Sequence, residues 1–477
     1  MALKPLDLGK QSNQGRYPHA GVAQLVNMYC ESAGTEGRFQ FPLYPVAGLT
    51  QWATHSGGAG IRAMLATATE LLVVAGRTLS AFDASGDETV IGGIPSDGLV
   101  TMSQNRVGQV TIVCDGVYYV YQGGAVAPVN ARLLPAPNSI CCLDGYSVLT
   151  QYTGRFDLSG IDAATTFDGL TFATAESVPG PLLVGKTRGR DLVLFGPNKV
   201  EVWADTGGAD FPFSRRTAMT IGCLNAASVT PAALLASGQA LTDTIIWPAT
   251  DSQGNYTTVA MLMGDQAVSI STPYVDRLIA TETNQAGITG TAWTERGHGF
   301  CMLSGTNWSV VYDTKTGLWH DRQSNGGRSI IGKTLAFGGQ IIAGDATQGI
   351  LYVLAPDAHD ENGAPLVCTV QTPPVAGFPA RLEVNEIYID TIPGQGLLSG
   401  GIQNTNPQIM LQWTADGQTW STERWQPMGR AGNTTRRVKW NRLGTSKQEG
   451  RSYRFRMSAD VARGFMGAFI DTDVVAP

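Results

Sequence analysis

The segment GRSIIGKT at residues 327–334 satisfies the phosphate-loop pattern GxxxxGK[ST] at every defined position. That chemistry requires a buried strand before the loop and a helix after it, because backbone N–H groups and the helix N-terminus hold the phosphates. Here the polar turn DRQSNGG precedes the segment, and LAFGGQIIAGD, which lacks a helical period, follows it. We therefore predict that Ile330 and Ile331 are core residues of a β-strand, and that the chain has no cofactor site.

Two further segments, TADGQTWS at residues 414–421 and TFDGLTFA at residues 166–173, resemble the Asp-box of sialidase-type propellers. In that family the Asp-box is a structural turn that lies away from the chemistry, and we predict the same role here. A sialidase also needs three arginines, a Tyr nucleophile with its Glu, and an acidic proton donor, and FPFSRR at residues 211–216 supplies only arginines. A glycan-binding or sialidase-like propeller remains an alternative.

Other catalytic and metal-binding patterns do not occur in the sequence. Its histidines and cysteines form no HxH, HExxH or CxxC, and it contains no GxSxG nucleophile elbow. We interpret the acidic loop with Asp357, His359, Asp360 and Glu361 as a solvated linker between domains. The seven cysteines fit buried thiols in a reducing compartment. The sequence therefore predicts a non-enzymatic protein with no catalytic or metal-binding residues.

Positive charge is concentrated near the C-terminus. Residues 424–463 contain eleven basic and two acidic residues, a charge of +9, whereas the whole chain carries −6. Such asymmetry is typical of a surface that meets an acidic partner. The candidate partner-binding residues of this segment are Arg436, Arg437, Lys439, Arg442, Arg454 and Arg456.

The basic segment has the period-two pattern of strands. Alternation in RRVKWNRLG and YRFRMSA predicts that Val438, Trp440, Tyr453 and Phe455 share one face. The opposite, basic face would carry Arg437, Lys439, Arg454 and Arg456. We expect this face to contact a protein partner. Contact with DNA and a merely solvated face stay open, because no nucleic-acid-binding module accompanies the cluster.

Length and composition indicate a multidomain assembly component. The 477 residues exceed the size of a single core, and 58 Gly with 24 Pro suit a chain that turns often. Only 15% of residues are charged, which suggests that other subunits cover much of the surface. The longest uncharged run, residues 217–241, is too polar for a bilayer span, and the N-terminus lacks a signal-peptide core. We predict no membrane insertion.

A hairpin pattern recurs about every 40 residues, and each interval leaves room for two more strands. This spacing predicts a β-propeller with seven blades, or six as the alternative, while a solenoid or stacked sandwiches remain possible. The strand GLTQWAT at residues 48–54 would complete the last blade. The predicted hairpins span residues 70–82, 109–121, 146–159, 190–203, 242–264, 298–312 and 339–354.

The pattern changes on both sides of this region. After Pro365, five strands with period-two alternation predict a β-sandwich. Before residue 45, we expect an ordered arm that lies on a neighbouring subunit or on the ring. The predicted domains are an arm at residues 1–44, a propeller at 45–365 and a sandwich at 366–477, in an all-β chain.

Several segments, taken in order, resemble the tail hub, or packaged-DNA stabilisation protein, of short-tailed bacteriophages. The resemblance covers most of the chain and is weakest at residues 226–290. The family's Asn-Met/Leu-Tyr-x-Glu motif would fall on Asn27, Tyr29 and Glu31. Its Pro-Gly-Leu motif would have Ala47 in place of Pro. The segments are LVNMYCE, PLYPVAGLTQW, DGYSVLTQYTGRFDLSGID, LTFATAES, LVLFGPNKVEVWADTGGADFPFSRR, IGC, ADGQTWS, VKWNRLG and YRFRMSAD.

The resemblance implies a non-enzymatic virion protein that is made in the host cytoplasm and forms a sixfold homo-oligomeric ring. In that family the ring lies below the portal-bound adaptor and extends the DNA channel. It also receives the needle or plug and attaches tailspikes or fibres. By this implication Asn27, Tyr29 and Glu31 join the candidate partner-binding residues.

Overall fold

The computed structural model describes residues 3–34, 39–129, 136–208, 211–235 and 241–475. Parts of the predicted arm, residues 1–2 and 35–38, lie outside the described residues. The fold is all-β, as predicted. Within the described residues the helices are Pro273–Ala280 and Ile402–Thr405, with 3-10 turns at Pro18–Ala20, Ala226–Ser228 and Gln285–Gly287.

Seven sheets follow one another along the described part of residues 48–365, and their strands pair antiparallel except where Glu361 pairs in parallel with Leu49. The strands of the first four sheets are Ile61–Ala66, Leu71–Ala75, Thr78–Phe82 and Glu88–Gly93; Val100–Gln104, Val110–Cys114, Val117–Gln122 and Ala125–Pro128; Ser139–Leu143, Tyr146–Thr150, Arg155–Gly160 and Ala163–Thr174; Val184–Arg188, Asp191–Phe195, Val200–Asp205 and Phe213–Met219.

The remaining three sheets are larger: the fifth has five strands, the seventh has six, and the sixth continues into another sheet. Their strands are Gly222–Cys223, Thr230–Leu234, Thr242–Thr250, Tyr256–Met263 and Gln266–Ser269; Thr289–Glu295, His298–Ser304, Ser309–Asp313 and Leu318–Asp321; Ile331–Phe337, Gln340–Asp345, Ile350–Ala355, Gly48–Thr54, Asp360–Glu361 and Ala364–Pro365. A separate two-stranded ribbon joins Gln323–Ser324 to Gly327–Arg328. All seven predicted hairpins are present as paired strands of these sheets.

The sheets form a closed ring. The innermost strand of each sheet contacts that of the next, and Ile331–Phe337 of the seventh sheet contacts Ile61–Ala66 of the first. The N-terminal strand Gly48–Thr54 pairs with Ile350–Ala355, as GLTQWAT was expected to do. Closure therefore ties the beginning of the propeller to its end.

The local sequence explains the hairpins. The second sheet turns at Asp115 and Gly116, whose φ values are 44° and 80°. Asp and Gly tolerate this left-handed conformation, and such a pair matches the right-handed twist of two flanking strands. The preceding strand VTIVC is entirely buried, because its two faces pack against neighbouring sheets.

Two sheets form the C-terminal β-sandwich. Inward side chains from both build one core, which includes Val384, Ile387, Ile409, Leu411 and Phe465. The first sheet contains Lys4–Leu6, Met28–Cys30, Leu43–Pro45, Arg381–Thr391, Val438–Thr445 and Phe465–Val475. The second contains Gln24–Val26, Cys368–Gln371, Gln408–Thr414, Arg424–Pro427 and Ser452–Met457.

The N-terminal arm is part of this sandwich and does not merely lie on the ring. Gln24–Val26 pairs antiparallel with Cys368–Gln371, and Val26 also pairs with Asp321 at the edge of the sixth propeller sheet. One continuous sheet therefore runs from the propeller into the sandwich. The described residues of the arm supply backbone groups and apolar side chains to both elements.

Candidate functional site

Asn27 lies at the point where arm, propeller and sandwich meet. It is buried, with φ 56°, a left-handed value that Asn adopts more readily than most residues. Its Nδ2 donates to the carbonyls of Gln323 and Val367, each at 2.9 Å, and the Gln323 N–H donates to its Oδ1 at 2.8 Å. Asn27 therefore connects three chain segments, and its side chain faces the interior.

Tyr29 and Glu31 belong to a polar group around His298. The buried Tyr29 hydroxyl donates to Glu31 Oε1 at 3.2 Å, and His298 Nδ1 lies 2.7 Å from Asp313 Oδ2. Glu31 Oε1 is 3.6 Å from His298 Nε2. Burial alone would lower the pKa of His298, but hydrogen bonds with Asp313 and Glu31 outweigh it and raise that pKa to about 9. A protonated imidazole here joins arm and propeller.

Asp321 attaches the first part of the arm to the sixth sheet. Its buried carboxylate accepts hydrogen bonds from the hydroxyls of Ser12 and Tyr274, the second at 2.8 Å. Burial raises the pKa of Asp321 to about 6. Ser12 Oγ also accepts from the Leu25 N–H at 3.0 Å and lies 3.1 Å from the Leu25 carbonyl oxygen, so the Ser12 hydroxyl joins Asp321 to a second segment of the arm.

Two buried arginines hold the chain that leaves the propeller. Arg322 donates to the Ala47 carbonyl at 2.9 Å and forms a 3.6 Å ion pair with Glu361. Arg463 donates to the carbonyls of His359 and Leu366 at 2.9 and 2.8 Å. The interpretation of residues 357–361 as a solvated linker is therefore wrong at Glu361, which is only 5% exposed. Burial of Glu361 is possible because Arg322 supplies the opposite charge.

The basic strands confirm the predicted alternation but not a common basic face. Val438, Trp440, Tyr453 and Phe455 are buried, each at most 2% exposed. However, Val438–Thr445 and Ser452–Met457 belong to different sheets. Their outward residues lie on opposite outer surfaces of the sandwich, so the grouping of Arg437 and Lys439 with Arg454 and Arg456 on one face is wrong. Alternation within a strand does not determine which sheet the strand joins.

The two basic surfaces also differ in exposure. On the first, Arg436, Arg437, Lys439 and Arg442 are exposed, and Lys439 is 3.3 Å from Glu386. Arg436 donates to the Pro427 carbonyl at 3.2 Å, and Arg437 lies 5.7 Å over the Tyr388 ring.

On the second surface, Arg454 and Arg456 are partly buried. Arg454 donates to Gln412 at 2.6 Å and lies 3.9 Å over the Trp420 ring. Burial and the nearby Arg456 lower the pKa of Arg454 to about 10. The first surface is therefore the better candidate for an external contact.

The two motif-like segments have structural roles. Ile331 is fully buried at the start of strand Ile331–Phe337, as predicted, and Ile330 packs beside it. In the Asp-box, Asp416 Oδ1 accepts from the N–H groups of Gln418 and Thr419 at 2.8 and 2.7 Å. These bonds hold the pKa of Asp416 well below its usual range. Both segments are thus explained by local backbone geometry.

Sequence reasoning missed His298, Asp321, Arg322 and Arg463 as organising residues. A signal exists for two of them, because the run LWHDR places charged residues at the end of an otherwise apolar strand. All seven cysteines are free thiols, and six are buried. Among the described residues, none of the helices has the length and apolarity needed to cross a bilayer. The same residues contain no cluster of His, Cys, Asp or Glu with the arrangement of a metal site.

Comparisons with solved structures give alignments with low identity. The designed protein Ika8 aligns at 13% identity, over 73% of this chain and 100% of that chain, with a TM-score of 0.40. The WD40 β-propeller domain of Doa1 aligns at 9% identity, over 64% of this chain and 96% of that chain, with a TM-score of 0.38. BamB from Moraxella catarrhalis aligns at 11% identity, over 65% of this chain and 98% of that chain, with a TM-score of 0.39. These scores carry no inference, and the fold rests on the observed strand pairing and the family models. No curated protein sequence matches the chain.

Two protein-family models match successive parts of the chain. The model described as bacteriophage P22 Gp10, β-propeller, matches residues 8–359. The model described as bacteriophage P22 Gp10, β-sandwich, matches residues 370–473. The order of the two models agrees with the propeller and the sandwich seen in the structure. The chain therefore belongs to the bacteriophage P22 Gp10 family of phage-stabilising structural proteins.

Proposed function

We propose that this phage structural protein forms a homo-oligomeric, hexameric ring in the virion tail, below the portal-bound adaptor. The ring extends the DNA channel, helps to close it after packaging, and carries a needle or plug and tailspikes or fibres. Phage DNA passes through the ring during ejection. The chain is made in the bacterial host cytoplasm and performs no catalysis, and its units are residues 1–44, 45–365 and 366–477.

The observation that carries this proposal is the continuous sheet between the sixth propeller sheet and the sandwich. Asn27, Asp321 and Arg322 reinforce it with buried hydrogen bonds and an ion pair. A buried polar network of this kind favours one relative arrangement of its parts. A body of fixed shape is suited to a component that must keep partners in register under the pressure of packaged DNA.

Contact with neighbours is proposed to involve the exposed basic surface with Arg436, Arg437, Lys439 and Arg442. Arg454 and Arg456 would form a second, weaker contact on the opposite side of the sandwich. Asn27, Tyr29 and Glu31 would act indirectly, because they position the sandwich. The glycan-binding alternative gains no support from its motif, since the Asp-box is a local turn.

The test is an assembly experiment with purified portal–adaptor complex. We expect wild-type protein to bind the complex as a ring visible by electron microscopy. The double variant Arg437→Glu/Arg442→Glu should remain folded but bind at least about tenfold more weakly, because like charges replace opposite ones. Binding of the wild type should also weaken as salt rises from about 0.05 to 0.5 M, because exposed charges are screened.

The matched control is Arg190→Glu, a charge reversal at a propeller arginine whose side chain is 85% exposed. It should bind the complex like the wild type. Equal binding by the double variant and the wild type would show that this surface is only solvated. Failure of the wild type to bind portal–adaptor complex at all would contradict the proposed position in the tail.

A further inference from the structure

The exposed apolar side chains of the described chain gather in two places. Of the 17 large apolar residues that are exposed, six lie in the second and third propeller sheets with their connections, and six lie in the sandwich. The fourth, sixth and seventh propeller sheets have none among the described residues. Clustered apolar side chains on the outside of a folded protein are typical of an interaction surface. The two places are therefore candidates for contact with a partner.

These places lie at opposite ends of the molecule. Around the closed ring, the fourth and fifth sheets separate the third sheet from the sixth on one side. The seventh, first and second sheets separate them on the other side. The sandwich continues the sixth sheet beyond its outer strand Leu318–Asp321. The third sheet is therefore across the ring from the sandwich.

The outermost strand of the third sheet, Ala163–Thr174, projects from the edge of the propeller. Its residues 167 and 172 pair with positions only two apart on the neighbouring strand, so residues 168–171 bulge away from the sheet. This bulge belongs to the second Asp-box-like segment, and Asp168 Oδ1 accepts from the Leu170 N–H at 3.1 Å. Leu170 is 83% exposed, and Phe172 is also exposed. We call Asp168, Leu170 and Phe172 the rim patch.

The rim patch lies in an acidic part of the chain. Residues 140–180 contain five acidic residues and one basic residue, and the basic residue is bound to Asp157. Two more of the carboxylates, Asp144 and Asp162, have an arginine partner from a neighbouring sheet. The other two, Asp168 and Glu176, are exposed and form no ion pair with a described residue. The unpaired charge beside the apolar side chains is therefore negative.

Two loops of the sandwich lie on its side remote from the propeller. The first sheet begins at Met28–Cys30, which contacts the sixth propeller sheet, and ends at Val438–Thr445. The second sheet runs from the propeller to Arg424–Pro427. Residues 392–407 and 428–437 join the strands at these far edges, and we call them the remote loops. They contact each other, because the Gly432 N–H donates to the Gly394 carbonyl at 3.2 Å.

The remote loops are apolar and basic. Leu398 is 95% exposed, Ile402 is exposed, and neither loop contains an acidic residue. The second loop has three exposed arginines, Arg430, Arg436 and Arg437. The whole units differ in the same direction, since residues 45–365 contain 17 Lys and Arg against 27 Asp and Glu, whereas residues 366–477 contain 12 against 9. The rim patch and the remote loops are thus both apolar and opposite in charge, which favours contact between them.

We propose that the rim patch of one copy of the chain docks onto the remote loops of the next copy. The two surfaces lie at opposite ends of one copy, so they meet only between copies. A contact between two different surfaces repeats head to tail, and it closes into a ring when the rotation between copies closes. The inference rests on the proposed homo-oligomeric ring and assigns the surfaces that form it.

The experiment measures self-association of the full-length protein by sedimentation velocity, over a concentration series at about 0.05 M salt, where charge attraction is little screened. We expect the wild type to assemble beyond a dimer. Leu170→Asp in the rim patch and Leu398→Asp in the remote loops each place a charge in the apolar contact. Each variant should associate at least about tenfold more weakly than the wild type, because an apolar side chain is no longer buried between copies. Both sites are exposed, so the melting temperature should stay unchanged.

A mixture of the two variants tests which surface meets which. Leu170→Asp keeps its remote loops, and Leu398→Asp keeps its rim patch, so one intact contact forms between the two variants. We expect the equimolar mixture to form dimers and no larger species. If either surface paired with the same surface of another copy, one variant alone would dimerise as strongly as the wild type associates, and that result would overturn the proposal.

The matched control is Val90→Asp, because Val90 is 57% exposed on the outer strand of the first sheet. This variant should assemble like the wild type. Asp168→Arg and Arg430→Glu repeat the two tests by charge if a leucine variant does not fold. Wild-type assembly by the variants of either surface would overturn the proposal.

The outcome is separable from the proposed position in the tail, because the experiment contains no portal–adaptor complex. Wild-type protein that stays monomeric at every concentration would overturn the contact between copies, even if it binds portal–adaptor complex. Wild-type protein that assembles as expected but does not bind that complex would contradict the proposed position and support the contact.

Discussion

The propeller and the sandwich bury apolar strands with the same alternating pattern, but they assemble those strands differently. Six propeller sheets are built from strands that follow one another closely, such as Leu71–Ala75 with Thr78–Phe82. The sandwich instead pairs Lys4–Leu6 with Phe465–Val475, from opposite ends of the chain. The seventh propeller sheet resembles the sandwich, because it takes Gly48–Thr54 from the N-terminal side, and the sixth pairs with Val26 of the arm at its edge. Local pairing forms readily, whereas distant pairing carries a larger loop-closure cost.

The N-terminal segment therefore takes part in most of the strand pairings that join distant parts of the described chain. It provides strands to both sandwich sheets and to the seventh propeller sheet. The buried polar contacts of Asn27, Asp321 and Arg322 lie where these distant segments meet. We therefore expect perturbations of this segment to have larger effects than perturbations within one local sheet.

The largest expected effect follows deletion of residues 1–56. The deletion removes the closing strand Gly48–Thr54 and all arm strands, so neither the ring nor the sandwich can complete its sheets. We expect loss of cooperative unfolding, measured by calorimetry and circular dichroism. A truncated protein that melts like the intact one would show that ring closure does not depend on this strand.

A point substitution provides a matched version of that test. Leu49→Asp places a charge at a fully buried position of the closing strand, whereas Gln51→Asp changes an exposed position of the same strand. We expect only the first variant to lose most of its stability.

The next largest effect is expected for Arg322→Met. This change leaves the buried Glu361 carboxylate without its ion-pair partner and frees the Ala47 carbonyl. We expect the free energy of unfolding to fall by about 3–5 kcal/mol, measured by urea denaturation. Arg322→Met/Glu361→Gln should recover part of that loss, because no buried charge remains unpaired. Arg190→Met, at an exposed propeller site, should change stability by less than about 0.5 kcal/mol.

A smaller effect is expected from titration of His298. Its pKa is raised from 6.5 to about 9 in the folded protein, so its contribution to stability is fully present below pH 6.5. That contribution is lost as the pH rises through 9, and it amounts to about 3 kcal/mol. Urea denaturation between pH 6 and 10 measures it. The free energy of unfolding should change less steeply with pH in His298→Gln than in the wild type. Equal pH dependence in variant and wild type would contradict the raised pKa of His298.

The smallest effect is expected on the outer surface of the sandwich. Lys439 and Glu386 form a 3.3 Å ion pair in which the lysine side chain is 53% exposed. A double-mutant cycle with Lys439→Gln and Glu386→Gln should give a coupling energy below about 0.5 kcal/mol, because solvent screens the pair. A coupling above about 1 kcal/mol would mean that this surface is less solvated than the structure implies.

Particular residues show how far the sequence could be interpreted. The turn residues Asp115 and Gly116 predict a hairpin, which the structure contains. Period-two alternation predicts that Val438 and Phe455 are core residues, and both are buried. Turn residues and alternation can be interpreted because each depends on only a few neighbouring residues. The basic residues were correctly assigned to the outside of their strands. Their grouping on one face failed, because it required knowing which sheet each strand joins. The family resemblance makes Asn27 and Tyr29 partner-binding candidates, yet both residues are buried in the chain's own junction.

The sequence by itself determined the all-β class, the repeated hairpins and the closing strand Gly48–Thr54, since period-two alternation and turn residues are local properties. Only the tertiary structure decided that the arm enters the sandwich and that Arg322 meets Glu361. Those arrangements depend on pairings between distant segments, whose free energies come from burial and charge compensation after the chain has folded. No short window of sequence contains that information.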